Sequence, residues 1–341
     1  MKVNIFKILL FTLGWPALLI YNACDSNLLE PTKPEIEDEI KGHDEWNRIE
    51  LTLLMGKMSD DKKNFYAFDE KYQSIIPIKQ TMTIGRSNDG TGSVKILSGA
   101  TDGFKVIKGK NIYYALDIKY YDRKNRLMNY QFCSYPPEPV NQMLPIHQHF
   151  FIVSDKDFNG KTAYPTTLDN KNIDEFGTEH NRPNIRRMQE LTRKVFTYIY
   201  RDTDPVDKMI GETYIDEKTK KLETVDFIRK YRSKDINVPY DRVGLKGLLK
   251  FVRSNIKFQM RIDLVHVIPG DKYIGKSKGG LLDFDQRHIG WSVSDVILKL
   301  PFSVVADLES KDYLKQLSNE FNKTEKEMSI INNMKLSKIR Y

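Results

Sequence analysis

The sequence predicts an all-β protein made of two antiparallel, immunoglobulin-like β-sandwich domains. Apolar and polar residues alternate with a period of two in many short segments, which is typical of half-buried strands. Turn-forming Gly, Asn and Asp residues separate these segments, and helical periodicity is rare before residue 309. The charged fraction (29%) and the hydrophobic fraction (40%) are those of a globular chain, so cores can form in both units.

Residues 1–23 have the features of a secretory signal peptide. Two lysines accompany an apolar run over residues 8–20, which is too short for a comfortable transmembrane helix. Ala23 precedes Cys24, and a small residue before a cysteine at this place resembles the lipobox of bacterial lipoproteins, although Tyr21 stands where Leu is usual. On that resemblance Cys24 carries the lipid. Simple cleavage after Ala23 and an uncleaved anchor are the alternatives.

Residues 24–44 contain prolines and an acidic cluster without apolar periodicity, which predicts a flexible tether between the lipid anchor and the first domain. The chain has two cysteines. If Cys24 is lipidated, Cys133 has no partner for an intramolecular disulfide, whereas a Cys24–Cys133 bridge would contradict lipidation.

The net charge of +8 raises the question of a nucleic-acid partner. Lysines are spread among acidic residues, and no basic stretch is interleaved with aromatic residues as a nucleic-acid groove would need. The sequence therefore predicts no nucleic-acid binding, and the excess charge is assigned to a solvated surface.

The first predicted domain covers residues 45–155. In the segment 112–121, Tyr114, Leu116, Ile118 and Tyr120 share one face, which is expected to be buried. Turns are expected at Asp122–Asn125 and at Ser87–Gly92. The alternation predicts strands at 46–58, 73–85, 103–108, 112–121, 127–135 and 144–153.

Residues 156–193 are predicted to form a linker with a short helix, and residues 194–308 to form the second domain. Its strands are expected at 195–200, 244–251, 258–268 and 296–305. In the third of these, Met260, Ile262, Leu264 and His266 share one face. The order of segments echoes the first unit, which indicates either a repeated architecture or the ordinary similarity of two sandwiches. Residues 309–341 are predicted to form a charged, partly helical tail.

The strand at 144–153 carries the chain's one pair of closely spaced histidines. His147 and His149 lie on the same face, roughly 7 Å apart at Cα, which is close enough for both to reach one metal ion. Two interpretations are open. The histidines either make ordinary hydrogen bonds on the wetter face of the strand, or they bind a transition metal or haem with further ligands that are distant in sequence.

Three carboxylates near the end of another strand form a weaker candidate site. Asp202, Asp204 and Asp207 flank a proline and offer oxygen ligands for calcium, although their spacing is not that of an EF-hand. Asp-Pro turns more often simply end strands.

The sequence indicates no catalytic constellation. No Gly-rich phosphate loop precedes a helix, and neither an HExxH motif nor a Cys-x-x-Cys pair occurs. We therefore predict no catalytic residues and a protein that is not an enzyme. A metal-dependent hydrolase that uses the two histidines with an aspartate is the least favoured alternative.

Five segments of the chain match a pattern known from one group of proteins. These are residues 49–53, 114–122, 147–151, 200–205 and 244–247. On these segments the chain resembles Bacteroidota cell-surface lipoproteins with β-sandwich domains, which are often encoded beside TonB-dependent outer-membrane receptors. Where that pattern has a Gly-His-x-His-like stretch, this chain has residues 56–59 without histidine, so part of a shared metal or haem site would be missing.

The resemblance implies an outer-membrane lipoprotein, exposed at the cell surface or facing the periplasm, with a TonB-dependent receptor as a partner. Together with the missing catalytic motifs, it predicts a non-enzymatic protein that captures haem, a metal complex or a glycan for an outer-membrane transporter and requires no cofactor. The alternative is a structural or adhesive surface protein that binds host or envelope components through its exposed sheet edges.

Overall fold

The strands and helices come from a computed structural model, which describes residues 46–62, 64–86, 94–133, 143, 146–154, 185–202, 213–215, 220–224, 242–266, 282–287 and 294–340. The strands are β1 (Arg48–Met58), β2 (Phe65–Phe68), β3 (Lys79–Arg86), β4 (Val94–Gly99), β5 (Phe104–Lys108), β6 (Tyr113–Tyr121), β7 (His147–Ser154), β8 (Phe196–Tyr200), β9 (Thr213–Ile215), β10 (Leu222–Thr224), β11 (Lys246–Phe251), β12 (Ile256–His266), β13 (Val296–Asp307) and β14 (Leu336–Arg340). The helices are α1 (Tyr130–Cys133), α2 (Ile185–Thr192), α3 (Tyr313–Phe321) and α4 (Glu325–Met328), with 3-10 turns at Glu70–Tyr72 and Ser329–Asn333.

Two sheets contain most of these strands. Sheet A has the order β14-β2-β1-β6-β11-β8, and β3 pairs with both β1 and β4. Sheet B has the order β5-β13-β12-β7, in which β5 and β13 are parallel and the other neighbours are antiparallel. Strands β9 and β10 form a separate pair. The prediction of a mostly-β protein is confirmed.

The inner faces of both sheets contribute to one hydrophobic core. The four residues predicted to share a buried face of β6 are at most 1% exposed, and they belong to the same cluster as Met260, Ile262 and Leu264 of β12. Aromatic rings also join the sheets. Phe251 of β11 lies 5.8 Å from Phe302 of β13, measured between ring centroids. Alternation along the strands thus places one apolar row of each sheet in a shared interior.

Two asparagines between strands adopt the left-handed conformation, and one of them, Asn125, lies in a predicted turn. Asn125, after β6, has φ 60°, and Asn255, between β11 and β12, has φ 56°. Asparagine tolerates this region better than most residues. The turn at Asn255 carries the chain from sheet A into sheet B.

The division into two sandwich domains is corrected by the pairing of the strands. Within sheet A, β11 from the predicted second domain pairs with β6 from the first, and within sheet B, β12 pairs with β7. Residues 45–155 and 194–308 therefore share both sheets, and Gly42–Tyr341 forms one compact unit. Alternation indicates which segments are strands but not which strands pair over long sequence separations, because many partners fit the same pattern.

The segment 127–135, predicted as a strand, contains helix α1 instead. Asn129 is 1% exposed, and its side chain bonds to the backbone of β6 by accepting from Tyr120 N and donating to Ile118 O, both at 2.9 Å. The side chain thus substitutes for a neighbouring strand at the end of β6, and the following helical turn directs Phe132 into the core.

The tail predicted at 309–341 is an integral part of the fold. Helices α3 and α4 confirm its partly helical character, and Leu317, Met328 and Ile331 are at most 4% exposed in the main core. Strand β14 extends sheet A by pairing with β2. The tail therefore packs against the core through its weakly amphipathic face.

Candidate metal centre

Strand β7 lies at the edge of sheet B, yet every one of its residues is buried. Acceptors outside the sheet cover its open edge: His149 N donates to Val243 O, Phe151 N to Phe284 O and Val153 N to Thr192 Oγ1, at 2.7 to 2.9 Å. Covering an edge strand in this way satisfies its backbone and prevents further pairing. The prediction of a wetter face for the paired histidines is therefore wrong, since His147 and His149 are both 0% exposed.

His149 has a structural position. Its Nδ1 lies 2.7 Å from Val243 O, and its Nε2 lies 2.7 Å from the Tyr120 hydroxyl oxygen. A carbonyl can only accept, so Nδ1 carries the proton and Nε2 accepts from Tyr120 in the neutral imidazole. Gly244 makes this approach possible because a Cβ there would lie 2.8 Å from the Cβ of His149, and its φ is 89°. Both ring nitrogens of His149 are therefore used in hydrogen bonds that connect β7 to β6 and to the segment before β11.

His147 belongs to a different cluster, which also contains His266 and Asp295. One ligand atom from each of these three residues lies within 4.8 Å of the other two. His147 opens β7, and His266 ends β12 directly opposite it in the antiparallel register, with ring centroids 4.9 Å apart. Asp295 immediately precedes β13, and its backbone N donates to Leu264 O at 2.8 Å. Three neighbouring strands therefore bring two imidazoles and one carboxylate to one end of sheet B.

The separations in this cluster suit a bound ion. His147 Nε2 and Asp295 Oδ2 are 3.8 Å apart, which is longer than a hydrogen bond. Typical bonds to zinc measure about 2.0–2.1 Å for imidazole nitrogen and about 2.0–2.2 Å for carboxylate oxygen, so one ion between the two atoms can contact both. Two ligands of a tetrahedral ion at these bond lengths are about 3.4 Å apart, so any pair in the cluster needs to approach by at most about 1.4 Å to bind the same ion. His266, the exposed member, has the most freedom to make that adjustment.

The orientation of His147 is the one expected of a metal ligand. Its Nδ1 lies 3.0 Å from Met143 O, so Nδ1 donates a hydrogen bond and Nε2 faces Asp295. A backbone carbonyl that holds the second nitrogen in this way is common behind metal-binding histidines. Although His266 is exposed, desolvation by the surrounding protein lowers its pKa, which favours the neutral form that metals bind.

Aromatic side chains close the buried side of the cluster. The Phe132 ring meets the His147 ring edge-on, with centroids 5.8 Å apart, and lies 4.7 Å from the Tyr120 ring. Burial raises the pKa of Tyr120, and the negative charge of Asp295 raises it further. Tyr120 therefore stays a neutral hydrogen-bond donor beside the cluster. Exposure increases from His147 through Asp295 to His266, so the cluster opens to solvent on the His266 side.

The carboxylate of Asp202, proposed as a calcium ligand, accepts hydrogen bonds from the backbone. Its Oδ2 accepts from Val243 N and Gly244 N, and its Oδ1 accepts from Lys246 N, at 2.9 to 3.1 Å. The residue is 2% exposed. These bonds fix the segment that carries Val243 O against His149, which gives Asp202 a structural position. Asp204 and Asp207 lie outside the described residues.

The lipidation site and the possible disulfide concern residues that the structure describes only in part. Cys24, the signal peptide and the tether lie outside the described ranges. Cys133 is buried at the end of α1, and its thiol donates to Asn129 O at 3.1 Å. Among the described helices, none combines the length and the apolar composition needed to cross a bilayer.

Of the three clustered residues, only His147 is a predicted site residue. His266 was predicted to share a face with Leu264, without a functional role, and Asp295 was not singled out. The sequence signal for His266 was its position at the end of an alternating apolar face. A role for it became visible only with the pairing of β7 and β12, which no local pattern specifies.

The fold and the site define a mostly-β protein with a cluster of two histidines and one aspartate. Comparison of the chain with protein-family models, curated proteins and solved structures finds no match. The function of the protein must therefore be inferred from the residues of the cluster.

Proposed function

We propose that this protein binds one divalent transition-metal ion through His147, His266 and Asp295. The observation that supports it is the convergence of two imidazoles and one carboxylate within 4.8 Å, with His147 oriented by a backbone carbonyl. Imidazole suits zinc, copper, iron and nickel, and a set of two histidines and one carboxylate is typical of iron(II) sites with open positions. Calcium and magnesium prefer oxygen ligands and fit this set poorly.

An ion or a small metal complex fits the cluster better than haem. His147 is fully buried, and the Phe132 ring meets it edge-on. A porphyrin plane would have to displace core side chains in order to reach its Nε2, whereas a single ion fits between the existing ligand atoms. The second histidine of the original pair, His149, already uses both nitrogens for hydrogen bonds to the fold.

In this proposal the metal is cargo rather than a catalytic cofactor. The protein is an outer-membrane lipoprotein attached through Cys24, and it passes a captured ion or small metal complex to an outer-membrane transporter of the TonB-dependent class. The signal-peptide features of residues 1–23, the solvated composition of residues 24–44 and the resemblance to Bacteroidota surface lipoproteins support this setting.

Metal analysis of the full-length protein tests the binding site. After removal of metals with a chelator, the protein is reloaded with zinc, cobalt(II), iron(II) or copper(II), and bound metal is measured by mass spectrometry and titration calorimetry. We expect one ion per chain. Asp295→Asn should weaken binding, whereas Asp312→Asn, at an exposed position before α3 without a side-chain capping bond, should not. Equal metal binding by all three proteins would refute the site, as would no binding at all.

Two experiments in the cell that produces the protein test the proposed lipid anchor and the proposed role in metal uptake. Labelling with a radioactive fatty acid should mark the wild-type chain but not Cys24→Ser. A deletion strain should grow poorly when the cognate metal is scarce. Normal growth under scarcity, combined with poor adhesion, would favour the adhesive alternative, and an unlabelled wild-type chain would remove the lipid anchor.

A further inference from the structure

We propose that a metal ion in this cluster keeps one coordination position open, and that this position binds a small oxyanion, such as a carboxylate or phosphate group, from solvent. The protein would then hold its cargo as a metal–anion complex. This inference rests on the proposed metal binding and specifies what the same site takes up with the ion.

Three protein ligands leave at least one coordination position of a bound metal ion unfilled. The described residues contribute one ligand atom each from His147, His266 and Asp295. Zinc takes at least four ligands, and iron(II) bound by two histidines and one carboxylate keeps open positions. The hydroxyl of Tyr120, on the buried side of the cluster, bonds to His149 Nε2 and is not a further ligand. A ligand from solvent can complete the coordination.

The charge of the site favours an anion as that ligand. Two neutral imidazoles and one carboxylate bring a single negative charge to a divalent ion, so a net charge of about +1 is left. His147 is fully buried, and the Asp295 side chain is 15% exposed, so water screens this charge only in part. An anionic ligand neutralises the site, whereas a neutral ligand such as water leaves the charge uncompensated.

The surroundings determine from which side the anion arrives. Phe132 and Tyr120 occupy the buried side of the cluster, and His266 is its exposed member. The open position therefore faces solvent beside His266. Only the anionic group itself needs to enter, so the rest of a larger molecule can stay outside the protein.

Cobalt(II) absorption spectroscopy of the full chain tests this inference, because the visible bands of cobalt respond to a change of ligand. The cobalt-loaded protein is titrated with acetate, inorganic phosphate and azide. We expect a saturable spectral change with one anion per cobalt, and none in the apoprotein. Linkage requires that the anion tighten cobalt binding by the same factor by which cobalt tightens anion binding.

Asp295→Asn should change the affinity for cobalt and the affinity for the anion in opposite directions. Removing the carboxylate charge should weaken cobalt binding, but at saturating cobalt it should make anion binding about tenfold tighter because the site becomes more positive. Asp312→Asn should change neither value. Cobalt binding without a spectral response to any anion would overturn this inference alone, as would weaker anion binding by Asp295→Asn. Failure to bind cobalt or another transition metal would overturn the proposed function and, with it, this inference.

Discussion

His147 and His266 are direct cross-strand partners in sheet B, with imidazole centroids 4.9 Å apart, although they come from the two halves of the sequence. The pairing of β7 with β12 is what creates this contact, and Asp295 joins it from the strand next to β12. One antiparallel register therefore determines the geometry of the candidate metal centre.

His266→Ala should abolish most metal binding while leaving the apoprotein folded. His266 is an exposed member of the cluster, so its truncation leaves no core cavity. Loss of a direct ligand should weaken binding by at least about 100-fold, the upper end of what second-shell changes cost. Calorimetry measures the affinity, and thermal melting without metal measures the stability.

Metal-dependent stabilisation provides a second readout for the same variant. Free metal at about one hundred times its dissociation constant should stabilise the wild type by about 2.7 kcal/mol, and His266→Ala should gain little. Lys257→Ala, at an exposed position near the other end of β12, is the matched control. Equal stabilisation of His266→Ala and the wild type would exclude His266 as a ligand.

His149→Ala should destabilise the apoprotein and leave metal binding intact, which is the opposite of the effect expected for His266→Ala. The change removes a fully buried ring with two hydrogen bonds and leaves Tyr120 and Val243 O without that partner, so the apoprotein should lose about 3 kcal/mol of unfolding free energy. Urea denaturation measures this loss. Metal affinity of the folded variant should stay close to that of the wild type, whereas His147→Ala should lose it. A stable His149→Ala protein that no longer binds metal would reverse the roles of the two histidines.

The C-terminal segment should contribute directly to stability. Leu317 of α3 is 0% exposed in the main core, so Leu317→Ala should cost about 3 kcal/mol through lost burial and a cavity. Leu336→Ala, at a position that is 43% exposed, should cost less than about 1 kcal/mol. Chemical denaturation distinguishes the two. Similar small effects would indicate that residues 309–341 do not support the core.

Alkaline pH should unfold the protein as its buried tyrosines ionise. Burial raises the pKa of Tyr114 and Tyr198 above the usual value. A raised folded-state pKa means that the stability is fully present below about pH 10, where both states are protonated, and is lost as the pH rises toward the folded pKa. Above about pH 10 each such group should lower stability by about 1.4 kcal/mol per pH unit.

Tyr198→Phe tests the origin of this slope because it removes one ionisable phenol and a long hydrogen bond of 3.3 Å to Gly244 O. The variant should show a shallower fall in stability above about pH 10, as measured by urea unfolding at several pH values. An unchanged slope would show that Tyr198 ionises equally in the folded and unfolded chain.

The sequence predicted local structure better than it predicted partners. Alternation identified β6 and its buried face, and residue type predicted the turn at Asp122–Asn125, in which Asn125 is left-handed. Strands β2, β4, β9, β10 and β14 were not predicted. Strands β2, β9 and β10 have only three or four residues, most of β4 is exposed, and β14 pairs with the distant β2. The two-domain division failed for the same reason, since pairing between distant strands leaves no local signature.

The candidate site, like the strand pairing, was predicted only as far as local sequence allowed. The histidine pair drew attention to β7, but proximity in sequence suggested that His147 and His149 act together. In the fold, His147 bonds to Met143 O, four residues earlier, whereas His149 bonds to Val243 O and to the Tyr120 hydroxyl, which come from distant segments. Alternation alone does not show which histidine has such distant partners.

Anomalous X-ray diffraction from crystals of the metal-loaded full chain locates the bound ion. We expect one anomalous peak at the end of sheet B, where His147 Nε2, a nitrogen of His266 and a carboxylate oxygen of Asp295 bind the ion at about 2.0–2.2 Å. A stoichiometric peak elsewhere in the protein, with these three side chains unchanged, would contradict this expectation.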